Sequence, residues 1–240
     1  MSVRINKYLS SIGIASRRKI DELIGEGRVK IGSKIVKLGD QINPETDQVS
    51  IDGQKVGGRG EEKVYIILNK PAGYTSTAAK IKGEKNVLEL VKSNVRLYPV
   101  GRLDKDSTGL ILLTNDGELA QRLTHPRFHI PKTYEVKVLG NVNRTQIEMI
   151  KKGIKLEEGI TKPADVKIKS QSLPHHSILE ITLYEGRKRQ IRRMLSALHL
   201  HILDLKRVSI GSIVIGSLPL GKFRKLTNEE IVKLQNSHQA

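Results

Sequence analysis

A carboxylate directly before a buried strand is the first residue in this sequence whose position could serve chemistry. Asp104 lies in GRLDKDSTGLILLTNDGELAQRLTHP, residues 101–126, a few positions before the apolar run 110–113. On local sequence alone, it could simply cap its own backbone in a turn. Asp106 suggests a glycosidase pair, but such a pair needs a defined separation across a sugar. A spacing of two residues in a turn does not ensure that separation, so we expect Asp106 to be solvated.

A run of basic residues is the second such feature. In RKRQIRR, residues 187–193, five of the seven positions are Arg or Lys. A charge run is usually a solvated face, and the phosphates of a nucleic acid are the alternative partner.

The overall composition favours the nucleic-acid alternative. The 240 residues include 42 Lys and Arg against 25 Asp and Glu, a formal net charge of +17. An excess of this size indicates a polyanionic partner. No apolar run approaches the roughly 20 residues of a membrane span, so we expect no membrane partner. Aromatic residues make up only 3% of the chain, which argues against a broad stacking platform and favours a structured RNA held by its phosphates and shape.

Metal and redox chemistry have little support in the sequence. The chain has no cysteine, which excludes disulfides and thiolate zinc sites. His175-His176 has no third ligand nearby in sequence, so we expect no metal there. The N-terminus lacks the apolar core and cleavage site of a signal peptide, and we therefore expect a cytoplasmic protein.

Two short helices and several short strands are predicted before residue 57. Apolar residues follow a helical face over residues 3–12, and Ser16 can cap a second helix that ends at a glycine. VKIGSKIV and QVSIDGQKV are typical of strands, with turns at Gly32-Ser33 and Asp52-Gly53. Residues 57–63, GGRGEEK, have the composition of a linker.

From residue 64 onward, predicted strands outnumber helices and do not alternate regularly with them. Strands are expected at 64–68, 110–114, 134–138, 164–168, 178–184 and within 201–216. Helices are expected at 86–93, 117–123, 145–154, 187–200 and 226–235. This order argues against a doubly wound parallel sheet and predicts an α+β fold, with a mixed or antiparallel sheet and flanking helices.

The order of elements before residue 57, with RVKIGSKIV after a basic helix, resembles the S4 RNA-binding domain over about residues 2–56. Three cations fall in the first turn of the second predicted helix, where they oppose the helix dipole. The resemblance implies an RNA-binding face formed by Arg4, Lys7, Arg17, Arg18 and Lys19.

Residues 101–126 as a whole closely resemble the catalytic motif of the RsuA/RluB-type ribosomal RNA pseudouridine synthases. NKPAGYTST, KTYEV, EGRKRQIRRML and PLGKFRKLTNEEI resemble further motifs of that family in the same order, so the resemblance covers essentially the whole chain. It implies a small S4-like RNA-binding domain at 1–56, a linker at 57–63 and a catalytic domain at 64–240. It also implies isomerisation of a ribosomal RNA uridine to pseudouridine, without a metal or a cofactor.

The family's motifs imply a role for three residues. Asp104 matches the catalytic carboxylate, which attacks either the sugar or the base. Arg192 matches its basic partner, which would keep that carboxylate charged in a buried pocket. Tyr134 matches the active-site tyrosine, which can pack against the flipped uracil and help to move a proton. Without the motifs, Tyr134 would be interpreted as a core residue and Arg192 as a solvated charge.

The resemblance also implies RNA contacts near the site. Arg102 would hold the loop of Asp104 or a phosphate, and Lys70 and Pro71 would shape a turn nearby. The basic helix region would grip phosphates through Arg187, Lys188, Arg189 and Arg193.

The implied partner is ribosomal RNA or a ribosomal assembly intermediate, bound by a monomer. EGRKRQIRRM looks more like the large-subunit members of the family, so we expect large-subunit RNA. The alternatives are a small-subunit enzyme, a non-catalytic assembly factor that binds ribosomal RNA, and a nucleoside or glycoside hydrolase. A hydrolase of small substrates would not explain the charge, and the intact catalytic motif counts against an assembly factor.

Overall fold

The computed structural model describes residues 2–57, 61–79, 81–172 and 175–236. The chain divides into two compact units, residues 1–63 with 94–96 and residues 64–93 with 97–240. Residues 58–60 of the predicted linker lie outside the described residues.

The first unit joins two helices to short antiparallel strands. The helices are α1 (Ile5–Ser11) and α2 (Arg17–Gly25). The strands are β1 (Val3–Arg4), β2 (Val29–Ile31), β3 (Lys34–Ile35), β4 (Gln41–Ile42), β5 (Val49–Ile51) and β6 (Gln54–Val56). One sheet has the order β3-β2-β5-β6, and β1 pairs with β4. Apolar side chains of both helices and of the strands form one core.

The helix predicted at 3–12 is shorter than expected, whereas the second helix begins where it was predicted. Val3 and Arg4 pair with β4 in a short ladder, so α1 begins only at Ile5. Ser16 caps α2, because its Oγ accepts a hydrogen bond of 3.1 Å from the backbone N–H of Lys19.

The second unit contains a long sheet with helices packed on it. Its strands are β7 (Tyr65–Lys70), β8 (Tyr98–Val100), β9 (Thr108–Thr114), β10 (Lys132–Leu139), β11 (Lys155–Leu156), β12 (Gly159–Ile160), β13 (Asp165–Ser172), β14 (His176–Leu183), β15 (Ile202–Ile210), β16 (Ile213–Val214) and β17 (Phe223–Lys225). Its helices are α3 (Gly117–Thr124), α4 (Arg144–Lys152), α5 (Gln190–Ser196) and α6 (Asn228–Asn236). Two 3-10 turns lie at Val87–Leu90 and Pro126–Phe128. None of the helices in the described ranges is long and apolar enough to cross a membrane.

The sheet is mixed, which confirms the predicted α+β class. Its strand order is β13-β14-β10-β15-β9-β7-β17, with β16 beside β15 and β8 beside β9. Strands β9 and β15 are parallel, and the other neighbours are antiparallel. One apolar cluster joins α4 and α5 to β10, β13, β14 and β15. A second joins α3 and α6 to β7 and β9.

A glycine allows the close approach of the two parallel strands. Gly109 pairs with Arg207, and a Cβ at Gly109 would lie 2.3 Å from the Arg207 carbonyl oxygen. Its φ of +104° is also a conformation that L side chains rarely adopt.

The helix predicted at 187–200 is wrong at both ends. Arg189 adopts a left-handed conformation with a φ of +50°, so α5 begins only at Gln190. The Gln190 side chain accepts a hydrogen bond of 3.0 Å from the backbone N–H of Arg187, which fixes the preceding turn. At the other end, His199 is left-handed and the helix stops at Ser196. Three of the five cations in the basic run therefore lie in a loop.

The predicted helix at 86–93 is also wrong. Only Val87–Leu90 is helical, as one 3-10 turn with an Asn86 capping box. Six short strands have no counterpart among the predicted strands, because two or three residues are too few to show a period: β1, β4, β8, β11, β12 and β17.

Candidate active site

The site is built on the loop that precedes β9, residues 101–107, which we call the catalytic loop. Lys70, at the end of β7, is fully buried below it. Its Nζ donates to the carbonyl oxygens of Pro71 at 3.1 Å, Lys105 at 3.3 Å and Ser107 at 2.7 Å. Burial lowers the pKa of Lys70 to about 8, although the nearby carboxylates of Asp106 and Asp104 act in the opposite direction.

Other residues of the NKPAGYTST segment hold the same loop. The backbone N–H of Gly73 donates to the Lys105 carbonyl at 2.7 Å. The Ser76 hydroxyl donates to the Leu103 carbonyl at 2.9 Å and accepts from the Leu103 N–H at 3.1 Å. This segment therefore supports the catalytic loop from beneath and extends the turn-shaping role expected from Lys70 and Pro71.

A cleft of about 290 Å³ opens beside the catalytic loop. Its walls come from that loop, from residues 124–130, from β10 and β15, and from residues 183–191. Asp104 and Tyr134 both line it, so the fold brings these two predicted residues to one cavity. The volume is at the lower end for pockets that hold small ligands.

Two arginines approach the carboxylates of the catalytic loop. The Arg192 Nε lies 3.7 Å from Asp104 Oδ2, and its Nη2 lies 3.1 Å from Asp106 Oδ2. Nη2 also donates to the Ser107 hydroxyl at 3.1 Å. The Arg189 Nη1 lies 4.0 Å from Asp104 and 3.7 Å from Asp106. The predicted partner is therefore near Asp104, but its shortest carboxylate contact is with Asp106.

Two expectations about these carboxylates need correction. Asp104 is not deeply buried, because 31% of its side chain remains exposed at the cleft. Asp106 is 52% exposed but is not simply solvated, since it shares both arginines with Asp104. The Asp104 carboxylate thus lies at the edge of an open cleft and not in a buried pocket. Within the described residues, the buried Arg192 Nε has no hydrogen-bond partner.

The floor of the cleft carries two further cations. Lys132 lies two residues before Tyr134 on β10, so their side chains share one face of the sheet. Arg207 is paired with Tyr134 across β10 and β15, and its side chain is buried. Both cations line the cleft.

The predicted RNA contacts in this unit fall into two groups. Arg102, Lys188 and Arg189 line the cleft with exposed side chains. Arg187 also lines the cleft, but its guanidinium donates to the carbonyls of β12, at 2.9 Å from Gly159 and 2.7 Å from Ile160. Arg193 pairs with Glu158 at 2.6 Å.

In the first unit, the predicted RNA face lies on β1, α1 and the first turn of α2. Its members are all exposed: Arg4, Lys7, Arg17, Arg18 and Lys19. Lys19 forms an ion pair of 2.8 Å with Glu22.

The structure adds residues that the sequence did not single out. Lys132 stands in the KTYEV motif, and its position two residues before Tyr134 was a signal that both face one side. Arg207 occupies an inward position of an alternating strand, where a cation is unusual. No feature of the local sequence indicated that Ser76 supports the site, because its hydrogen-bond partner Leu103 is distant in sequence. Among the described residues, no group of three or more His, Asp or Glu is placed to hold a metal ion.

Comparison with known proteins agrees with this architecture. Residues 64–197 match the family model described as RNA pseudouridylate synthase, and residues 3–49 match the S4 domain. The chain belongs to the RNA pseudouridylate synthase family and has an N-terminal S4 domain. It is an isomerase that acts on RNA, as its resemblance to the family implied.

Individual relatives cover nearly the whole chain. An uncharacterized RNA pseudouridine synthase of Aquifex aeolicus is 46% identical, over 98% of this chain and 94% of the relative. Ribosomal large subunit pseudouridine synthase B of Bacillus subtilis is 43% identical, over 97% of this chain and 95% of the relative. A crystal structure of pseudouridylate synthase matches with a TM-score of 0.70 at 33% identity, over 97% and 99% of the two chains.

Proposed function

We propose that this enzyme converts a uridine of large-subunit ribosomal RNA to pseudouridine, with Asp104 as its catalytic carboxylate. The observation that carries the proposal is the cleft in which Asp104 stands with Tyr134, while Arg192 approaches it at 3.7 Å. The choice of RNA rests on the Bacillus subtilis relative, which is named a large-subunit synthase.

Asp104 acts on the ribose or on the base of the extruded nucleotide, and either role requires a charged, fixed carboxylate. Arg192 and Arg189 supply positive charge at one side of that carboxylate. Ser107 and Asp106 hold the Arg192 guanidinium in place from the other side. Arg192 is thus a positioning residue for Asp104.

Tyr134 supplies the surface against which the uracil packs. Its ring stands on the sheet floor of the cleft, and a flat aromatic side chain suits a flat base. Its hydroxyl group can relay the proton that leaves the base carbon when the new bond is complete, passing its own proton on as it takes that one.

Extrusion of the uridine costs a few kcal/mol, and backbone contacts must offset it. We propose that Arg102, Lys188 and Arg189 contact phosphates at the cleft. Arg187 and Arg193 can join them only by competing with the β12 carbonyls and Glu158. In the S4 unit, Arg4, Lys7, Arg17, Arg18 and Lys19 supply a second set of phosphate contacts.

The test is release of tritium from ribosomal RNA labelled at carbon five of uracil. We expect the wild-type enzyme to release it and Asp104→Asn to fall below about one thousandth of that rate, with RNA affinity retained. Large-subunit RNA, small-subunit RNA and immature particles are compared as substrates. We further propose that a cytoplasmic monomer catalyses the reaction, which sedimentation of the active species and cell fractionation would test.

Asp106→Asn is the matched control. This variant removes the same charge from the same loop. Asp106 contacts the same two arginines as Asp104, but it does not line the cleft. We expect it to keep turnover within about tenfold of the wild type. Turnover by Asp104→Asn would contradict the catalytic assignment. Release from small-subunit RNA alone would contradict the choice of substrate, and binding without release from any RNA would favour an assembly factor.

A further inference from the structure

The two cations on the floor of the cleft, Lys132 and Arg207, differ from the other basic residues of the site. The Lys132 Nζ donates to the Ile130 carbonyl at 3.1 Å. The Arg207 guanidinium donates to the carbonyls of Leu110 at 2.8 Å and Arg102 at 3.4 Å. Neither forms an ion pair among the described residues, whereas Arg187, Arg189, Arg192 and Arg193 each have a carboxylate within 4.0 Å. Arg102 and Lys188 also lack an ion pair within those residues, but their side chains are exposed to solvent.

Cations placed there without a counter-ion are unfavourable unless a ligand supplies one. Arg207 is only 2% exposed, and its Nη2 is buried without a hydrogen-bond partner in the described part of the chain. Burial lowers the pKa of Lys132 to about 8, and the charge of Arg207 shifts it in the same direction. An anion in the cleft would therefore interact favourably with both.

The reaction itself produces such an anion. When the C1′–N1 bond of uridine breaks, its electron pair leaves with the uracil, which then carries a full negative charge. The base turns, carbon five bonds to C1′, carbon five loses its proton and N1 gains one. No other group is consumed, so the charge on the detached base must be stabilised by the protein.

We infer that Lys132 is a catalytic residue whose ammonium group binds the detached uracil anion beside Tyr134. Arg207 holds the adjoining backbone and adds a second positive charge at the same floor. The inference rests on the proposed function, because it assigns Lys132 to the same reaction in the same cleft. The base is held during rotation by a contact that strengthens as its charge develops.

A contact with an RNA phosphate is the alternative role for Lys132, and the two roles predict different kinetics. A phosphate contact is present before and during the reaction, so its loss weakens RNA binding. A contact with the uracil anion exists only after the bond breaks, so its loss lowers kcat and leaves affinity unchanged.

The experiment measures single-turnover tritium release and RNA affinity for Lys132→Gln in the full-length enzyme. We expect release to slow about 100-fold or more, as for loss of one charged donor at a developing anion, with affinity within about twofold. Lys132→Arg keeps the charge and should recover most of the loss. Lys132→Met keeps the aliphatic stem and serves the same purpose if the glutamine variant does not fold.

Lys162→Gln is the matched control, because it removes an exposed ammonium that contacts His129 at 3.1 Å at the edge of the cleft. We expect it to match the wild type. Retained kcat in Lys132→Gln, or a loss explained wholly by affinity, would overturn the inference. Asp104→Asn in the same assay separates the two proposals. Activity in Asp104→Asn would contradict the proposed function. An inactive Asp104→Asn together with a fully active Lys132→Gln would contradict only the role given to Lys132.

Discussion

At the scale of single residues, Lys70 is the support on which the catalytic loop depends. An ammonium group has three N–H donors, and here they meet three carbonyl oxygens, of which those of Lys105 and Ser107 belong to the loop. The side chain links β7 to the backbone on the far side of Asp104. Its role is structural, yet it fixes where the Asp104 carboxylate lies.

Replacing this lysine should therefore destabilise the second unit. Lys70→Met removes the side-chain donor of three carbonyl oxygens: that of Lys105 keeps its bond from the Gly73 N–H, but those of Pro71 and Ser107 lose this donor. We expect a loss of about 3 kcal/mol in the free energy of unfolding. Denaturant unfolding measures it. Lys105→Met is the control, since that side chain is 52% exposed and pairs with Glu84 at 3.4 Å. We expect the control to change stability by less than about 1 kcal/mol, and equal losses in both variants would contradict the prediction.

The shifted pKa of Lys70 predicts that the free energy of unfolding depends on pH. The pKa of Lys70 falls from 10.5 to about 8 on burial. Below pH 8 the lysine is protonated in both the folded and the unfolded protein. Between pH 8 and 10.5 the unfolded chain binds more protons than the folded one, so the free energy of unfolding rises with pH. Lys70→Met lacks this contribution. The stability advantage of the wild type over the variant should widen from pH 8 to pH 10, and a constant difference would mean that the ammonium stays charged among its carbonyls.

At the scale of elements, the parallel junction of β9 and β15 places the catalytic loop above the sheet. Gly109 lies at that junction, opposite Arg207. Arg207 in turn donates to carbonyls on both sides of Asp104, those of Arg102 and Leu110. Strand pairing and loop position are thus coupled at one residue pair.

A side chain at Gly109 should break this coupling. In Gly109→Ala the new Cβ would lie 2.3 Å from backbone, at a φ of +104°, so we expect a loss of more than about 3 kcal/mol in stability and a matching loss of turnover. Thermal unfolding and tritium release measure the two effects.

Gly186→Ala is the control for stability at this scale. A Cβ there meets no atom within 4 Å, and its φ is not in the left-handed region. We expect the free energy of unfolding to change by less than about 1 kcal/mol. A Gly109→Ala variant as stable as the control would show that β9 and β15 can separate without harm.

The residue at which α5 begins determines which arginines reach the two carboxylates. The left-handed Arg189 ends the preceding turn and points its guanidinium toward Asp104 and Asp106. Arg192, one turn into the helix, reaches the same carboxylates. A continuous helix over 187–200 would have placed Arg189 and Arg192 on one face as well, but it would have lost the hydrogen bond between Arg187 and Gln190.

At the scale of the whole molecule, the formal charge of +17 makes binding to RNA depend on salt. Each phosphate neutralised by a cation releases counterions, so the slope of log affinity against log salt counts the contacts. The double variant Arg17→Gln/Arg18→Gln should reduce that slope by about 1.5. Filter binding across a salt series measures it.

Lys151→Gln/Lys152→Gln removes the same charge from the end of α4 and serves as the control. If α2 contacts RNA, the slope changes only in the first variant. Equal changes in both would show that net charge, and not the S4 unit, determines the affinity.

The sequence by itself determined the class of fold, the S4 unit and the family, because each of these can be recognised from patterns of residues that are close together in sequence. The run 110–113 predicts a buried strand from apolar content alone, and Ser16 predicts a helix start from a cap within three residues. The resemblance that predicts roles for Asp104, Tyr134 and Arg192 rests on patterns of the same kind, because each residue lies within its own short motif.

Only the tertiary structure decided which groups support and surround that carboxylate. Lys70 contacts Ser107 across 37 positions, and Arg207 contacts Leu110 across 97. Such contacts arise from sheet pairing, which no local period encodes. The exposure of Asp104 and the sharing of Arg192 with Asp106 likewise depend on neighbours that the fold brings together. The same holds for Lys132, which has no ion pair within the described part of the chain.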